Sequence, residues 1–545
     1  MTTVAQTNDG YVHQPINSEA TRQQVVSRFS VFLMIIVLLI AGVTHYHNAL
    51  AFPAFQDTEG TNLANAWALL YNNELAPYTY AYDNPPTGTF LLAGWAAISG
   101  GFDSFGFPLN TGRVLMLAFH VMSVALTFAI ARKVSGSNLA AVVAALLFAL
   151  SPLALSIQRR VLLDNMMLMF LLAAFYNVIG DRESLYNYML SAICFGLAVL
   201  LQTDAAVFFP ALVYTVHLTA NKAHRRFAVI LWVAFSVLIM SLYPMYAQMR
   251  SELFPQGWLF GGDFPHVSLL ERILDRGPDT GVFMNFGSGL ASSFQQWTDI
   301  THLNADPILI FGGAIALLFS LVMAHDNKGL RPLAAMALTF IVLRYIGGQV
   351  APTDIIGVLP FLAISVAIVL ATIATTFSSI LSDESILKPL FALLLMAGLL
   401  YPFAVFYVNR THLYTLDQVQ GQMDAIAWVQ QSVPNDSVVV TDNFAFVALR
   451  ETMPQVHHYW KIDTDPDVKF TLLEDDVCNI DYIITTPQVL QDIEVYGLGF
   501  LQRALDDAEL LRTYENNGWP VSIWQVQHTY CSVEDLETPE PDLAS

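Results

Sequence analysis

Gln56-Asp-Thr-Glu-Gly60 and Tyr78-Thr-Tyr-Ala-Tyr-Asp-Asn-Pro-Pro86 bound the stretch whose reading decides the fold. It follows the first long apolar run, Phe32–Val43. Asp57 and Glu59 therefore stand where a chain poor in charge leaves hydrocarbon, a costly place for carboxylates and one where ionisable groups are by default functional candidates. On charge pattern alone the pair reads equally as a solvated acidic loop.

Composition sets the class. Hydrophobic residues make up 55% and charged residues 13% of 545 residues, with a mean hydropathy of +0.49. Soluble domains carry about 25% charged residues, so most of the chain belongs in a bilayer. A net charge of −21 excludes nucleic acid as a partner, because a phosphate backbone needs a basic surface. Cys194, Cys478 and Cys531 lack metal-ligand spacing. Cys194 reads as a packed hydrophobe, whereas Cys478 and Cys531 could pair. No cleavable signal peptide is expected.

The apolar runs predict a polytopic α-helical membrane protein with about eleven spans and a C-terminal soluble α/β domain. Residues 1–28 form a cytoplasmic arm, and residues 29–408 a membrane domain with outer loops over 46–112 and 247–306. Residues 409–533 form an extracytoplasmic domain, and 534–545 an acidic tail. The spans cover Phe29–His45, Arg113–Ala131, Leu139–Leu155, Leu163–Ile179, Tyr188–Leu201, Ala205–Thr219, Phe227–Tyr246, Pro307–Met323, Pro332–Tyr345, Ile355–Thr375 and Leu390–Tyr407. Between the first two, the apolar Thr87–Ser99 is too short to span and reads as an interfacial or re-entrant piece anchored by Trp95. Lys and Arg recur in the inner loops, which puts the amino terminus inside and the carboxy terminus outside.

The soluble part predicts a helix over Leu416–Gln431, strands at Ser437–Thr441, His457–Lys461 and Asp481–Thr485, and a helical piece over Phe444–Arg450. A hairpin over Glu509–Gln525 turns on Asn516-Asn-Gly518. It lacks a G-x-G-x-x-G element and reads as a structural or acceptor-orienting cap rather than a nucleotide site.

The order of these features resembles the dolichyl-phosphate-mannose protein mannosyltransferase superfamily and its aminoarabinose-transferase-like bacterial relatives, which have the GT-C glycosyltransferase fold. The matching text is Asp57-Thr-Glu-Gly60, Tyr78 to Pro86, Arg113, and Arg159-Arg-Val-Leu-Leu-Asp164-Asn. The tail from Trp428 through Pro434-Asn-Asp-Ser-Val-Val-Val also matches. Two positions depart from the family: Thr58 separates the acidic pair, and Gln202-Thr-Asp204 stands where many relatives carry a lysine.

The resemblance implies sugar transfer from a polyprenyl-phosphate donor to an extracytoplasmic acceptor, whether protein, glycan or lipid. Such transfer needs a carboxylate to take the acceptor proton, and Asp57 is assigned that role with Glu59 orienting acceptor or sugar. It also needs cations for the departing phosphate. Arg159 and Arg160 are the first candidates and Arg344, alone in an apolar run, the next. The bland reading of the arginine pair is headgroup anchoring. Asp164 is expected to hold an arginine and Asp83 to support the loop. Asp57, Glu59, Asp83 and Asp164 could also supply oxygen ligands to a divalent metal, although no dedicated spacing marks a site. His266 and His302 read as isolated surface histidines. Membrane lipids are the remaining expected partner. A transporter or lipid flippase is the rival class, disfavoured because the charges gather at the outer face and no repeat is visible. An inactive scaffold of the same fold is a third reading.

Overall fold

The structure is a computed structural model that describes residues 16–179, 184–262, 266–279, 306–324, 328–342, 353–380, 387–411, 415–515, 517 and 519–528. The fold is helical, with a small sheet at the carboxy-terminal end. Helix α1 (Ile16–Tyr46) leads to α2 (Asp57–Asn72), α3 (Thr87–Ser99) and α4 (Pro108–Ser135). Next come α5 (Asn138–Leu150), α6 (Pro152–Gln158), α7 (Leu163–Val178), α8 (Leu185–Leu201), α9 (Phe209–Thr219), α10 (Arg225–Met240), α11 (Leu242–Met249) and α12 (Leu269–Asp279). The later helices are α13 (Pro307–Met323), α14 (Arg331–Phe340), α15 (Leu359–Ser378) and α16 (Leu387–Asn409).

Among the described residues, five helices are long and apolar enough to cross a membrane, or six if α5 and α6 count as one span bent by 61°. Shorter apolar helices, α3, α7, α8 and α13, fill out the bundle. Several expected spans are interrupted for local reasons. Ser151 ends α5, and its side chain caps α6 by accepting from the Ala154 N–H, with Pro152 at the first helical position. The expected sixth span, Ala205–Thr219, opens with a 3-10 turn over Thr203–Phe208 before the eleven-residue α9.

The bundle core is continuous: α7 packs on α8, α8 on α10, and α15 on both α5 and α13. Lipid-facing helices keep large apolar side chains unburied, as at Leu390, Leu394 and Tyr401 of α16. In hydrocarbon such side chains need no protein cover. The expected short piece Thr87–Ser99 is α3, closed by Gly100 in the left-handed region. Trp95 does not serve it as a free headgroup anchor: its indole N–H donates to the Thr111 carbonyl at 2.8 Å and ties α3 to the start of α4.

After α16 come α17 (Gln420–Ser432), β1 (Val439–Thr441), α18 (Asn443–Arg450) and β2 (Val456–His458). They are followed by β3 (Tyr482–Thr485), α19 (Pro487–Tyr496), α20 (Gly499–Asp506), β4 (Ala508–Tyr514) and β5 (Val521–Val526). The sheet order is β2-β1-β3-β5-β4. β1 pairs in parallel with β2 and β3, and β5 is antiparallel to β3 and β4. Each expected strand is present, β2 one residue earlier and shorter than read. The expected turn residues Asn516 and Gly518 lie outside the described residues. Cys194 is free and Cys478 is disulfide-bonded; Cys531 lies outside the described residues.

Candidate active site

The first turn of α2 carries both acids. Carboxylates suit this position because the amino end of a helix is electropositive. The expected outer-loop setting is therefore a helix start, and two residues along a helix turn about 200°, so the side chains leave in opposed directions.

Glu59 faces the bundle and is fully buried. Its Oε1 accepts from Arg113 Nη2 at 2.8 Å, and its Oε2 accepts from Arg113 Nε at 3.1 Å and from the Val161 N–H at 3.0 Å. Arg113, itself buried, also donates to the Ala49 and Ala54 carbonyls and lies 4.4 Å from the Phe55 ring centroid. This is a two-pronged ion pair with most remaining donors satisfied, the form in which a buried pair is tolerated.

Asp57 faces the sheet domain. Its Oδ1 accepts from the Asn443 N–H at 3.0 Å, at the start of α18, and lies 2.8 Å from His458 Nε2 at the end of β2. Asp442 joins this cluster, accepting from the Phe444 N–H and the Thr486 hydroxyl. Burial acts to raise the Asp57 pKa, but His458 and the surrounding donors outweigh it and the net shift is downward. Burial first, and the Asp57 charge second, push Asp442 well above the usual carboxylate range.

The close fit depends on Gly60. A Cβ there would lie 2.1 Å from the Asn443 carbonyl carbon and oxygen, so only a residue without one allows α2 to lie against α18. Asn443 Nδ2 then donates to the Thr61 hydroxyl at 2.7 Å.

The arginines behave differently from each other. Arg159 is buried, with Nη2 donating to the Thr44 and His47 carbonyls at 3.0 and 2.7 Å and Nη1 to the Phe52 carbonyl at 3.5 Å. It ties the end of α1 to the following turn and has few donors left for a phosphate. Arg160 is half-buried. Its Nε has no hydrogen-bond partner and its guanidinium no ion pair among the described residues. Burial lowers its pKa to about 10, with the Glu59 charge opposing, so it stays cationic at neutral pH. The turn holding it is rigid: Asn165 Nδ2 donates to the Arg160 and Ile157 carbonyls, and Gln158 Nε2 donates to Asn165 Oδ1.

Asp164 is buried in the first turn of α7. Asp83 pairs with Arg272. Arg344 and His302 lie outside the described residues. His266 Nε2 is 2.9 Å from the Phe254 carbonyl oxygen. Asp204 lies in the turn between α8 and α9. No group of three or more His, Cys, Asp or Glu side chains gathers as a metal-ligand set among the described residues.

His458, Asn443 and Asp442 were not among the residues singled out from the sequence. A signal for them existed: both Asp442 and His458 sit at the carboxyl ends of parallel strands, where open α/β sheets place their functional groups.

Residues 83–246 match the family described as dolichyl-phosphate-mannose-protein mannosyltransferase. That segment contains Arg113, Arg159, Arg160 and Asp164, but not Asp57 or the sheet domain. No curated protein matches the chain. Among solved structures, the apo oligosaccharyltransferase of Archaeoglobus fulgidus superposes with a TM-score of 0.55 at 12% identity, covering 87% of this chain and 71% of that one. The ArnT of Cupriavidus metallidurans bound to undecaprenyl phosphate gives 0.54 at 14%, covering 90% and 97%. The same archaeal enzyme, AglB, with an inhibitory peptide and a dolichol-phosphate gives 0.54 at 13%, covering 87% and 71%. Thus residues 83–246 match the mannosyltransferase family, and the chain as a whole has the GT-C fold that the first outer segment led us to expect.

Proposed function

We propose that this protein is an integral-membrane glycosyltransferase that moves a sugar, taken to be a hexose, from a polyprenyl-phosphate carrier to an acceptor outside the cytoplasm. The observation that carries the reading is Arg160: a half-buried guanidinium, charged at neutral pH, that makes no salt bridge among the described residues and is held near Glu59 of α2. It suits the phosphate that gains charge as the glycosidic bond breaks. It also offers the cation that Asp204 cannot supply at the position where relatives carry lysine.

In the proposed reaction the acceptor oxygen attacks the anomeric carbon, and the carbon–oxygen bond to phosphate breaks. The phosphate leaves with the bonding electrons beside Arg160, and the acceptor proton goes to Asp57. Asp57 suits this role because its surroundings favour the carboxylate form and its side chain is 15% exposed. His458 and the Asn443 N–H both meet Oδ1, and the Asp442 carboxyl is a further hydrogen-bond partner that an acceptor hydroxyl would replace. Glu59, with both oxygens held, acts by fixing Arg113 and the Val161 backbone next to Arg160. Arg159 acts as a clamp on α1. Arg344 remains a proposed second phosphate ligand, and Asp83 and Asp164 remain supporting residues. The amino terminus is proposed to be cytoplasmic and the sheet domain extracytoplasmic; a reporter fused after Ser545 that is active only in the cytoplasm would overturn this.

The test is release of polyprenyl phosphate from labelled polyprenyl-phosphate hexoses by the full chain in lipid nanodiscs. Asp57→Asn should lower turnover about 10²–10⁴-fold, the usual worth of a general base, while donor binding survives. Arg160→Met should abolish donor binding and Arg160→Lys should restore part of it. Release no faster than in protein-free nanodiscs would end the reading and favour a transporter or an inactive scaffold.

A further inference from the structure

A cleft of about 570 Å³ opens between the segment after α2, the outer segment around Glu252, and the sheet domain. That volume falls within the roughly 300–1,000 Å³ range of small-molecule sites. It does not include Asp57, Glu59 or the arginines of the transfer site. Its wall is aromatic: Trp67 meets Phe446 edge-on with centroids 6.1 Å apart, and Tyr78 lies 6.2 Å from the same ring.

His457 supplies the second observation. It lines the cleft, is only 5% exposed, and neither ring nitrogen has a hydrogen-bond partner among the described residues. Burial, and then the nearby Arg450, lower its pKa to about 4. The neutral imidazole has one donor and one acceptor nitrogen, the pair that a hydroxyl group satisfies. Both signs of charge line the cleft: Glu252 is paired with Arg250, and Glu74, Asp465 and Asp467 stand with Arg450, a mixed lining that favours a neutral polar ligand over a strongly charged one. Aromatic faces for the apolar C–H side of a sugar ring, with neutral donors and acceptors for its hydroxyls, describe carbohydrate recognition.

We infer that this cleft binds a neutral oligosaccharide, and that the acceptor of the proposed transfer is therefore a glycan. Only the word acceptor rests on the transferase reading. The cleft is also wired to the transfer site. Side chains alternate across β2, so His457 faces the cleft while its neighbour His458 faces Asp57. Tyr78, on the cleft wall, accepts through its hydroxyl oxygen from the His458 N–H at 2.8 Å.

The experiment presents the full chain in nanodiscs to immobilised neutral, amino-bearing and acidic oligosaccharides and to Ser/Thr-rich peptides. Neutral oligosaccharides should be retained. His457→Ala and Trp67→Leu should weaken retention at least tenfold, and His457→Gln, which keeps a donor and an acceptor, should recover part of it. Trp67→Phe, which keeps the ring packing but removes the indole N–H, serves if His457→Ala fails to fold. Release of polyprenyl phosphate with water in place of the acceptor, which gives the free sugar, should match wild type in these variants. Retention of peptides alone, of no saccharide, or of saccharides equally by wild type and the variants overturns the inference. Saccharide binding without any transfer would leave the cleft standing and sink the transferase reading instead.

Discussion

The bundle side and the sheet-domain side of α2 each hold one carboxylate, two residues apart, and treat it in opposite ways. On the bundle side Glu59 is sealed from solvent and matched by Arg113 and the Val161 N–H. On the sheet-domain side Asp57 keeps some exposure and shares its surroundings with His458 and with Asp442, whose pKa burial pushes upward. The contrast separates a carboxylate sealed in a buried ion pair from one that keeps some exposure beside a histidine. Within one turn of helix, burial and the identity of the partner decide which is which.

The largest effect should come from breaking the bundle side. Removing one partner of a buried pair leaves an uncompensated charge and costs about 3–5 kcal/mol. Arg113→Met should therefore give little monodisperse protein on size-exclusion chromatography. A double variant, Glu59→Gln with Arg113→Met, should recover much of the yield. Equal loss in the single and double variants would show that Arg113 matters for something other than charge.

Breaking the other side should do less. Gly60→Ala places a methyl group against the Asn443 backbone, and overpacking of this kind costs about 1–3 kcal/mol. The bundle should persist while the sheet domain loosens, read as faster proteolysis after Asn409 and reduced turnover. Unchanged proteolysis would mean that the contact at Gly60 does not hold the domain in place.

The smallest effect sharpens the comparison through pH. A carboxyl whose folded pKa is raised contributes stability that is full below its unfolded value near 4 and falls as pH rises toward the folded value. Asp442→Asn removes that loss, so it should raise the thermal midpoint slightly at pH 7 and not at pH 4. Asp57, with a lowered folded pKa, has the reverse sign: its contribution is present above the unfolded value and is lost as pH falls through the folded one. Asp57→Asn should therefore cost stability at pH 7 and little at strongly acidic pH. The same pH trend in both variants would break the opposite shifts of the two carboxyls.

Much of the architecture was legible because it is written in local pattern. Apolar runs announce the helices, and Val-Val-Val-Thr441 and Tyr-Ile-Ile-Thr485 announce strands. The distinction between Asp57 and Glu59 was not, since each looks the same until its partner is known. Glu59 takes Arg113, 54 positions away, and Asp57 takes His458, 401 positions away. Arg159 and Arg160 were likewise indistinguishable as adjacent cations. One turns in to three carbonyls and the other does not, a difference set by the chain path around Phe52 and Asn165. Interrupted spans were hard to read because hydropathy averages over the Ser151-Pro152 break.

The contact at Gly60 has a consequence for how the protein is made. Asp57 enters the membrane region early, yet its partner Asn443 follows 386 residues later. At 5–20 residues per second, synthesis takes roughly 20–80 s to cover that interval. Once Arg113 and Val161 have been made, 54 and 102 residues after Glu59, the start of α2 has a completed pair on one side and a bare carboxylate on the other. The bundle helices, which end at Asn409, are therefore all synthesised before the proposed proton acceptor acquires its surroundings, and a chain released between Asn409 and Asn443 would carry the whole bundle without the partners of Asp57.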